Sequence, residues 1–91
     1  MVKPKKLNIG SFTVMLGPPE EWLNLDILDL SVYAKEKGYN FQQVDVTKGL
    51  PFEDGSITFI NCSHLIEHIT VPEGIVFLTE CKRVLTAEMI S

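Results

Sequence analysis

The strongest strand signal in the chain is the stretch Ile57-Thr58-Phe59-Ile60-Asn61-Cys62, which is continuous and rich in β-branched residues. Unbroken runs of this kind are typical of parallel sheets, whose strands are covered by helices on both faces. We therefore expect residues 57–62 to form a strand that is buried on both faces. The segment before it, residues 47–56, contains two glycines and a proline and is predicted to be a loop.

A helix is predicted directly after this strand. Thr70 and Glu73 have the spacing of a capping box, and Pro72 falls in the first turn. Apolar residues then repeat at helical spacing, as in an amphipathic helix: Ile75, Leu78, Cys81 (or Lys82 at the same step) and Leu85.

The residues before position 57 add three strands and one helix. Strand patterns occur at Leu7–Ile9, Trp22–Asp26 and Phe41–Asp45, and a helical period ending at Gly38 separates the second from the third. Residues 12–16 fit either a further short strand or a buried loop. Strands interleaved with helices predict an α/β fold, a parallel sheet with helices packed on its faces.

Suggestive groups lie at the ends of three predicted strands: Gly10-Ser11 follows the first, and Asp26 and Asp45 end the second and third. In open parallel sheets, ligands bind beyond the carboxyl ends of the strands. A glycine there allows close approach of the backbone to a ligand, and a carboxylate can accept both hydroxyls of a ribose or an adenine amino group. Either acid alone could instead cap a turn or a helix. Their placement on successive strand ends favours a nucleoside pocket.

Composition narrows the class of protein. The chain is 45% hydrophobic and 22% charged, with a net charge of −4, which disfavours binding to a phosphate backbone. No apolar run approaches the roughly 18 residues of a membrane span. Cys62 and Cys81 are far apart, which favours reduced, mostly buried thiols. We expect a cytoplasmic protein with a small-molecule partner and no nucleic-acid or membrane partner.

Five blocks of sequence, in order, resemble class I S-adenosylmethionine-dependent methyltransferases, specifically the type 11 group. They are Lys6-Leu7-Asn8-Ile9-Gly10-Ser11, Trp22-Leu23-Asn24-Leu25-Asp26, Gly49-Leu50-Pro51-Phe52-Glu53-Asp54-Gly55-Ser56, Ser63-His64-Leu65-Ile66-Glu67-His68 and Glu80-Cys81-Lys82-Arg83-Val84-Leu85. The resemblance implies a Rossmann-like sheet with strand order 3-2-1-4 and S-adenosylmethionine as cofactor.

The resemblance also implies a set of cofactor-binding residues: Gly10, Ser11, Asp26, Ile27, Asp45, Val46, Ser63 and His64. The first two would lie beside the methionine part of the cofactor, and Asp26 would hold the ribose. Ile27, Asp45 and Val46 would surround the adenine, and the last two would lie near the methyl-transfer centre. It names no catalytic residue and no methyl acceptor.

The chain departs from the family pattern at three places, one of which is Thr58, where an acid is common at the start of the fourth strand. The turn after the first strand usually has a second glycine two residues after the first, and here that residue is Phe12. The family's KPGG turn does not follow Leu85, where the chain reads Thr86-Ala87. Residues 1–91 are therefore expected to be a single partial methyltransferase domain, the cofactor-binding half, truncated after the fourth strand and its helix.

Two other interpretations remain open. His64, Glu67 and His68 fit the H-x-x-E-H zinc pattern of some metalloproteases, in which two histidines one helical turn apart bind the ion and the glutamate is the base. The chain could also be a non-catalytic folded remnant. Its fourth strand would then be an apolar edge, for which we expect self-association, with edge-to-edge pairing across a two-fold axis.

Overall fold

A four-stranded parallel sheet forms the centre of the protein. The computed structural model describes residues 4–62, residue 65 and residues 68–86. The strands are β1 (Lys6–Ile9), β2 (Trp22–Asp26), β3 (Phe41–Gln43) and β4 (Phe59–Cys62). They lie in the order β3-β2-β1-β4, and every neighbouring pair is parallel. The predicted α/β class and strand order are confirmed.

Within the described residues, helical segments accompany the sheet. Helix α1 (Ser31–Lys37) ends at Gly38, which takes the left-handed conformation that glycine adopts without strain. A short 3-10 helix, Val46–Lys48, occupies the start of the segment that was predicted to be a loop. Helix α2 (Val71–Val84) begins with the predicted capping box between Thr70 and Glu73. No helix in the described ranges is long and apolar enough to cross a membrane.

The hydrophobic core lies between one face of the sheet and α2. Leu7 and Ile9 of β1 pack with Phe77 and Val84 of α2, and all four are nearly or fully buried. The apolar repeat that identified α2 marks its buried side only in part, since Ile75 and Leu78 are 62% and 57% exposed, whereas Cys81 and Leu85 pack against the core. The helix turns Phe77, Cys81 and Val84 towards the sheet, at spacings of four and three residues.

The prediction that residues 57–62 are buried on both faces is wrong. The strand proper begins at Phe59, which is 42% exposed, and Cys62 is also exposed. Within the described residues β4 pairs along its length with β1 alone, and Ile57 adds one bridge to Leu85. An edge position explains the exposure. It also corrects the expectation of two mostly buried thiols, because only Cys81 is partly buried.

The connection between β1 and β2 contains no helix. Its twelve residues, 10–21, are all described and run as turns and irregular backbone across the second face of the sheet. Of the two alternatives for residues 12–16, the strand is wrong and the loop is found, but it is not a buried loop: Phe12 and Val14 are 56% and 75% exposed, and Met15 alone is buried. Twelve residues are close to the shortest chain that can connect two parallel strands.

A charged cluster holds the segment before β4 against α2. Arg83 donates to the carbonyl oxygens of Leu50 (2.8 Å) and Phe52 (2.9 Å), and it also binds Glu80 and Asp54. Glu80 Oε1 accepts from the Leu50 backbone N–H at 2.8 Å. Hydrogen bonds from Arg83 and from this N–H lower the pKa of Glu80 from 4.5 to about 2.

Replacing Glu80 by glutamine should make the stability of the protein less sensitive to acid. The lowered pKa means that Glu80 contributes stability above about pH 4.5 and loses it as the pH falls towards about 2. Thermal unfolding across this range should show Glu80→Gln less stable than the parent at neutral pH, with a difference that shrinks in acid. Glu36→Gln, on the exposed side of α1, is the matched control. A difference independent of pH would contradict this account.

Candidate functional site

A cavity of about 230 Å³ opens at the carboxyl ends of β1, β2 and β3, where the sequence predicted a ligand site. We call it the nucleoside cavity. Its lining includes five of the eight predicted site residues: Gly10, Asp26, Ile27, Asp45 and Val46. Apolar side chains, among them Ile9, Val44 and Leu65, form much of the remaining wall. Parallel strand ends have brought together groups that are up to 36 positions apart in sequence, from Gly10 to Val46.

Asp26 joins the turns that follow the first two strands. Its Oδ2 accepts the backbone N–H of Phe12 at 2.9 Å, and its Oδ1 accepts that of Leu28 at 3.0 Å. The carboxylate is thus fixed from both sides. Each carboxylate oxygen has two acceptor positions, so both can still accept a hydrogen bond from a ligand. The turn-cap interpretation and the ligand-binding one describe the same side chain, and they are compatible.

Asp45 is likewise both a cap and a wall of the cavity. It is the N-cap of the 3-10 helix, where its Oδ1 accepts from the backbone N–H (3.1 Å) and the hydroxyl of Thr47. Hydrogen bonds from Thr47, that of the hydroxyl above all, lower the pKa of Asp45. The group is therefore an anion at neutral pH and an acceptor for donors on a ligand.

Gly10 and Phe12 shape the turn after β1. Both have positive φ, 70° for Gly10 and 43° for Phe12. The backbone N–H groups of Gly10 and Ser11 both donate to Leu25 O, at 2.9 and 3.1 Å, which ties the turn to β2. The Phe12 side chain is 56% exposed and does not line the nucleoside cavity. The substitution of the second family glycine therefore leaves this cavity open.

Ser11 lies outside the nucleoside cavity. It is buried and lines a second cavity of about 380 Å³, on the other side of Gly10. Phe12, Val14 and Asn61 also line this second cavity. Gly10 lines both cavities, so they adjoin at the turn after β1.

Two of the predicted site residues, Ser63 and His64, lie outside the described residues, and so does Glu67 of the zinc pattern. Among the residues that are described, no group of three or more histidine, cysteine, aspartate and glutamate side chains could hold a metal ion. His68, the remaining member of the pattern, lines the nucleoside cavity.

The structure adds three polar residues to the site that sequence reasoning did not assign to it, namely Thr47, His68 and Glu73. The sequence around each of these residues predicts a role other than lining the cavity. Thr47 was placed in a loop, and Glu73 was recognised as a capping residue, which it is: its Oε1 accepts the Thr70 N–H at 2.7 Å. His68 was read as part of a metal pattern. Thr47 follows β3 in the chain next to the cavity wall, whereas Glu73 reaches the cavity because α2 packs beside the sheet.

A Rossmann-like parallel sheet with a cavity at its carboxyl edge is the class that this geometry defines. The family model described as "Methyltransferase domain" matches residues 10–88. The chain therefore belongs to the methyltransferase-domain family, in the type 11 group of the class I methyltransferases. A search of curated proteins found no match.

A solved structure has the same fold. It is the crystal structure of a SAM dependent methyltransferase from Archaeoglobus fulgidus, which aligns with a TM-score of 0.70 at 20% sequence identity. The alignment covers 91% of this chain and 40% of that chain, so the present chain spans less than half the length of that protein.

Replacing Phe12 by glycine should stabilise the protein. A side chain at positive φ costs about 1–2 kcal/mol, and glycine removes that cost. Because Phe12 is largely exposed, little burial is lost. The larger backbone entropy of unfolded glycine offsets about 0.5–1 kcal/mol of this gain, which leaves about 1 kcal/mol and a melting temperature about 4–8 °C higher in thermal unfolding. Phe12→Ala, which keeps the Cβ and the strain, should give no such gain. Equal melting temperatures for the two variants would contradict the strain argument.

Proposed function

We propose that this chain binds S-adenosylmethionine for methyl transfer, with the nucleoside cavity as the site of the adenosine part. The observation that carries the proposal is the meeting of Gly10, Asp26, Ile27, Asp45 and Val46 around one cavity in a member of the methyltransferase-domain family. The family resemblance implied these five residues one by one as cofactor-binding residues, and all five line the same cavity.

The chemistry of the cavity suits an adenosine. Asp26 offers two oxygens, already held in place by backbone donors, to the two hydroxyls of a ribose. Ile27 and Val46 provide apolar surface for the flat faces of an adenine ring. Asp45, ionised at neutral pH, can accept from the adenine amino group. Binding then requires no large rearrangement of these groups.

The role of the protein in the reaction is positioning. A bound S-adenosylmethionine would supply an activated methyl group on a good leaving group, so the part left to the protein is to hold the reactants in line. In this proposal Gly10 and Ser11, on the path from the nucleoside cavity to the second cavity, lie beside the methionine part. Ser63 and His64 stay predicted residues of the transfer centre.

The chain corresponds in this proposal to the cofactor-binding part of a methyltransferase domain. The solved relative is more than twice as long, and the additional length would carry the contacts to the methyl acceptor. A cytoplasmic location stays a prediction from the sequence.

Titration with S-adenosylmethionine, or with its demethylated product, should give measurable heat in a calorimeter. Asp26→Ala should abolish that heat, because the ribose loses its acceptor and the turn loses two hydrogen bonds. Asp29→Ala is the matched control: it removes the same charge three residues away, from a carboxylate that does not line the nucleoside cavity. No heat from the parent chain, or equal loss in both variants, would refute the proposal.

Self-association through β4 is a second proposal for this chain. The strand is at the edge of the described sheet, and Phe59 and Cys62 on it are exposed. Proteins usually cover or pair such edges. In a dimer related by a two-fold axis, each copy would cover the β4 edge of the other.

Sedimentation velocity should therefore show a dimer whose population rises with concentration. Phe59→Lys should shift the chain to monomer, because a charge on an edge strand opposes pairing. Val32→Lys likewise replaces an apolar residue by lysine, at a more exposed position on α1, and should leave the dimer intact. A clean monomer of the parent at high concentration would exclude the proposal.

A further inference from the structure

Three asparagines form a ladder across the second face of the sheet. Asn24, Asn8 and Asn61 occupy matching positions on β2, β1 and β4. Asn8 Nδ2 donates to Asn24 Oδ1 at 2.9 Å, and Asn61 Nδ2 donates to Asn8 Oδ1 at 2.9 Å. Asn24 and Asn8 are 0% and 2% exposed. A buried side-chain amide without hydrogen-bond partners costs free energy, but these buried amides are hydrogen-bonded to one another. The network indicates that the asparagines have a structural role at these positions.

The ladder holds the helix-free connection between β1 and β2. Asn24 binds Leu16 twice, since its Oδ1 accepts the Leu16 N–H at 2.9 Å and its Nδ2 donates to Leu16 O at 3.0 Å. Asn8 Nδ2 donates to Val14 O at 3.0 Å. Three hydrogen bonds from buried side chains thus fix residues 14–16, in a segment that has no helix of its own to hold its shape.

The turn after β1 links this fixed segment to the nucleoside cavity, whereas Val14 and Leu16 themselves line the second cavity. The Val14 N–H donates to Ser11 O at 2.9 Å, which closes the turn that contains Phe12. That turn directs the Phe12 N–H to Asp26 Oδ2. A continuous chain of hydrogen bonds therefore leads from the buried amides to the carboxylate in the cavity wall.

We infer that Asn24 and Asn8 are positioning residues, which orient the Asp26 carboxylate for a ribose through the segment 12–16. The inference rests on the proposed function, because it concerns the affinity of the same cavity. Neither asparagine lines the nucleoside cavity, so neither is a contact residue there. Without them the connection keeps its length but loses the bonds that place the Phe12 N–H.

Adenosine and 2′,3′-dideoxyadenosine, which lacks both ribose hydroxyls, are the probes for this role. Asn24→Ala and Asn8→Ala should each weaken adenosine binding about tenfold, the effect of losing a well-oriented hydrogen bond to a charged group. Binding of the dideoxy compound should change little, because it makes no bond to Asp26. A general loss of structure would weaken both ligands equally, and that result would overturn the inference.

Asn40→Ala is the matched control. Its Nδ2 binds Pro19 O at 2.9 Å, so this variant also removes an asparagine bond to the same connection, but far from Phe12. It should leave the affinities for both nucleosides unchanged. If Asn24→Ala does not fold, Asn8→Ala, which removes one bond to the connection instead of two, decides the question alone.

Amide hydrogen exchange provides a measurement without ligand. The Phe12 amide should be protected in the parent and exchange faster in Asn24→Ala and Asn8→Ala, but not in Asn40→Ala. Unchanged protection in the first two variants would overturn the positioning role. No binding of adenosine by the parent would overturn the proposed function instead, and the exchange rates would then decide the positioning role independently.

Discussion

Strand β1 is paired on both sides, with β2 and with β4, and the rest of the structure depends on its register. The pairs Ile9–Leu25 and Ile9–Cys62 end three strands at one level. The polar residues that follow those strands must then meet at one edge, as they do for Gly10 and Asp26. In this register the apolar side chains of β1 point towards α2. The pairing of β1 therefore determines the position of both the hydrophobic core and the cavity.

The short connection after β1 has two unusual features, a positive φ at Phe12 and hydrogen bonds to buried asparagines of the sheet. It places no helix on the second face, and polar side chains bind its backbone instead. Asn24 is the most deeply buried of these. The connection also turns at Phe12 with a positive φ, and this brings a backbone N–H to Asp26. Local strain and buried amides are thus consequences of one short crossover.

The sequence predicted the elements well where local rules are strong. The limits of β2, the capping box at Thr70 and the glycine end of α1 depend on neighbouring residues, and all three were found as expected. Burial was predicted poorly, because it depends on what packs against an element. Exposed Ile75 shows this, since periodicity specifies a helix but not which side meets the sheet. The roles of the ladder and of the Phe12 turn depend on tertiary hydrogen bonds between residues up to 53 positions apart.

Nuclear magnetic resonance of the isotope-labelled chain is the most direct test of the central claim, that the edge formed by β1, β2 and β3 binds the nucleoside of the cofactor. Addition of the demethylated product of S-adenosylmethionine should shift the amide signals of Gly10, Ile27 and Val46 and leave that of Thr58, at the opposite end of the sheet, unchanged. Shifts centred on Thr58, or no shifts at saturating ligand, would contradict it.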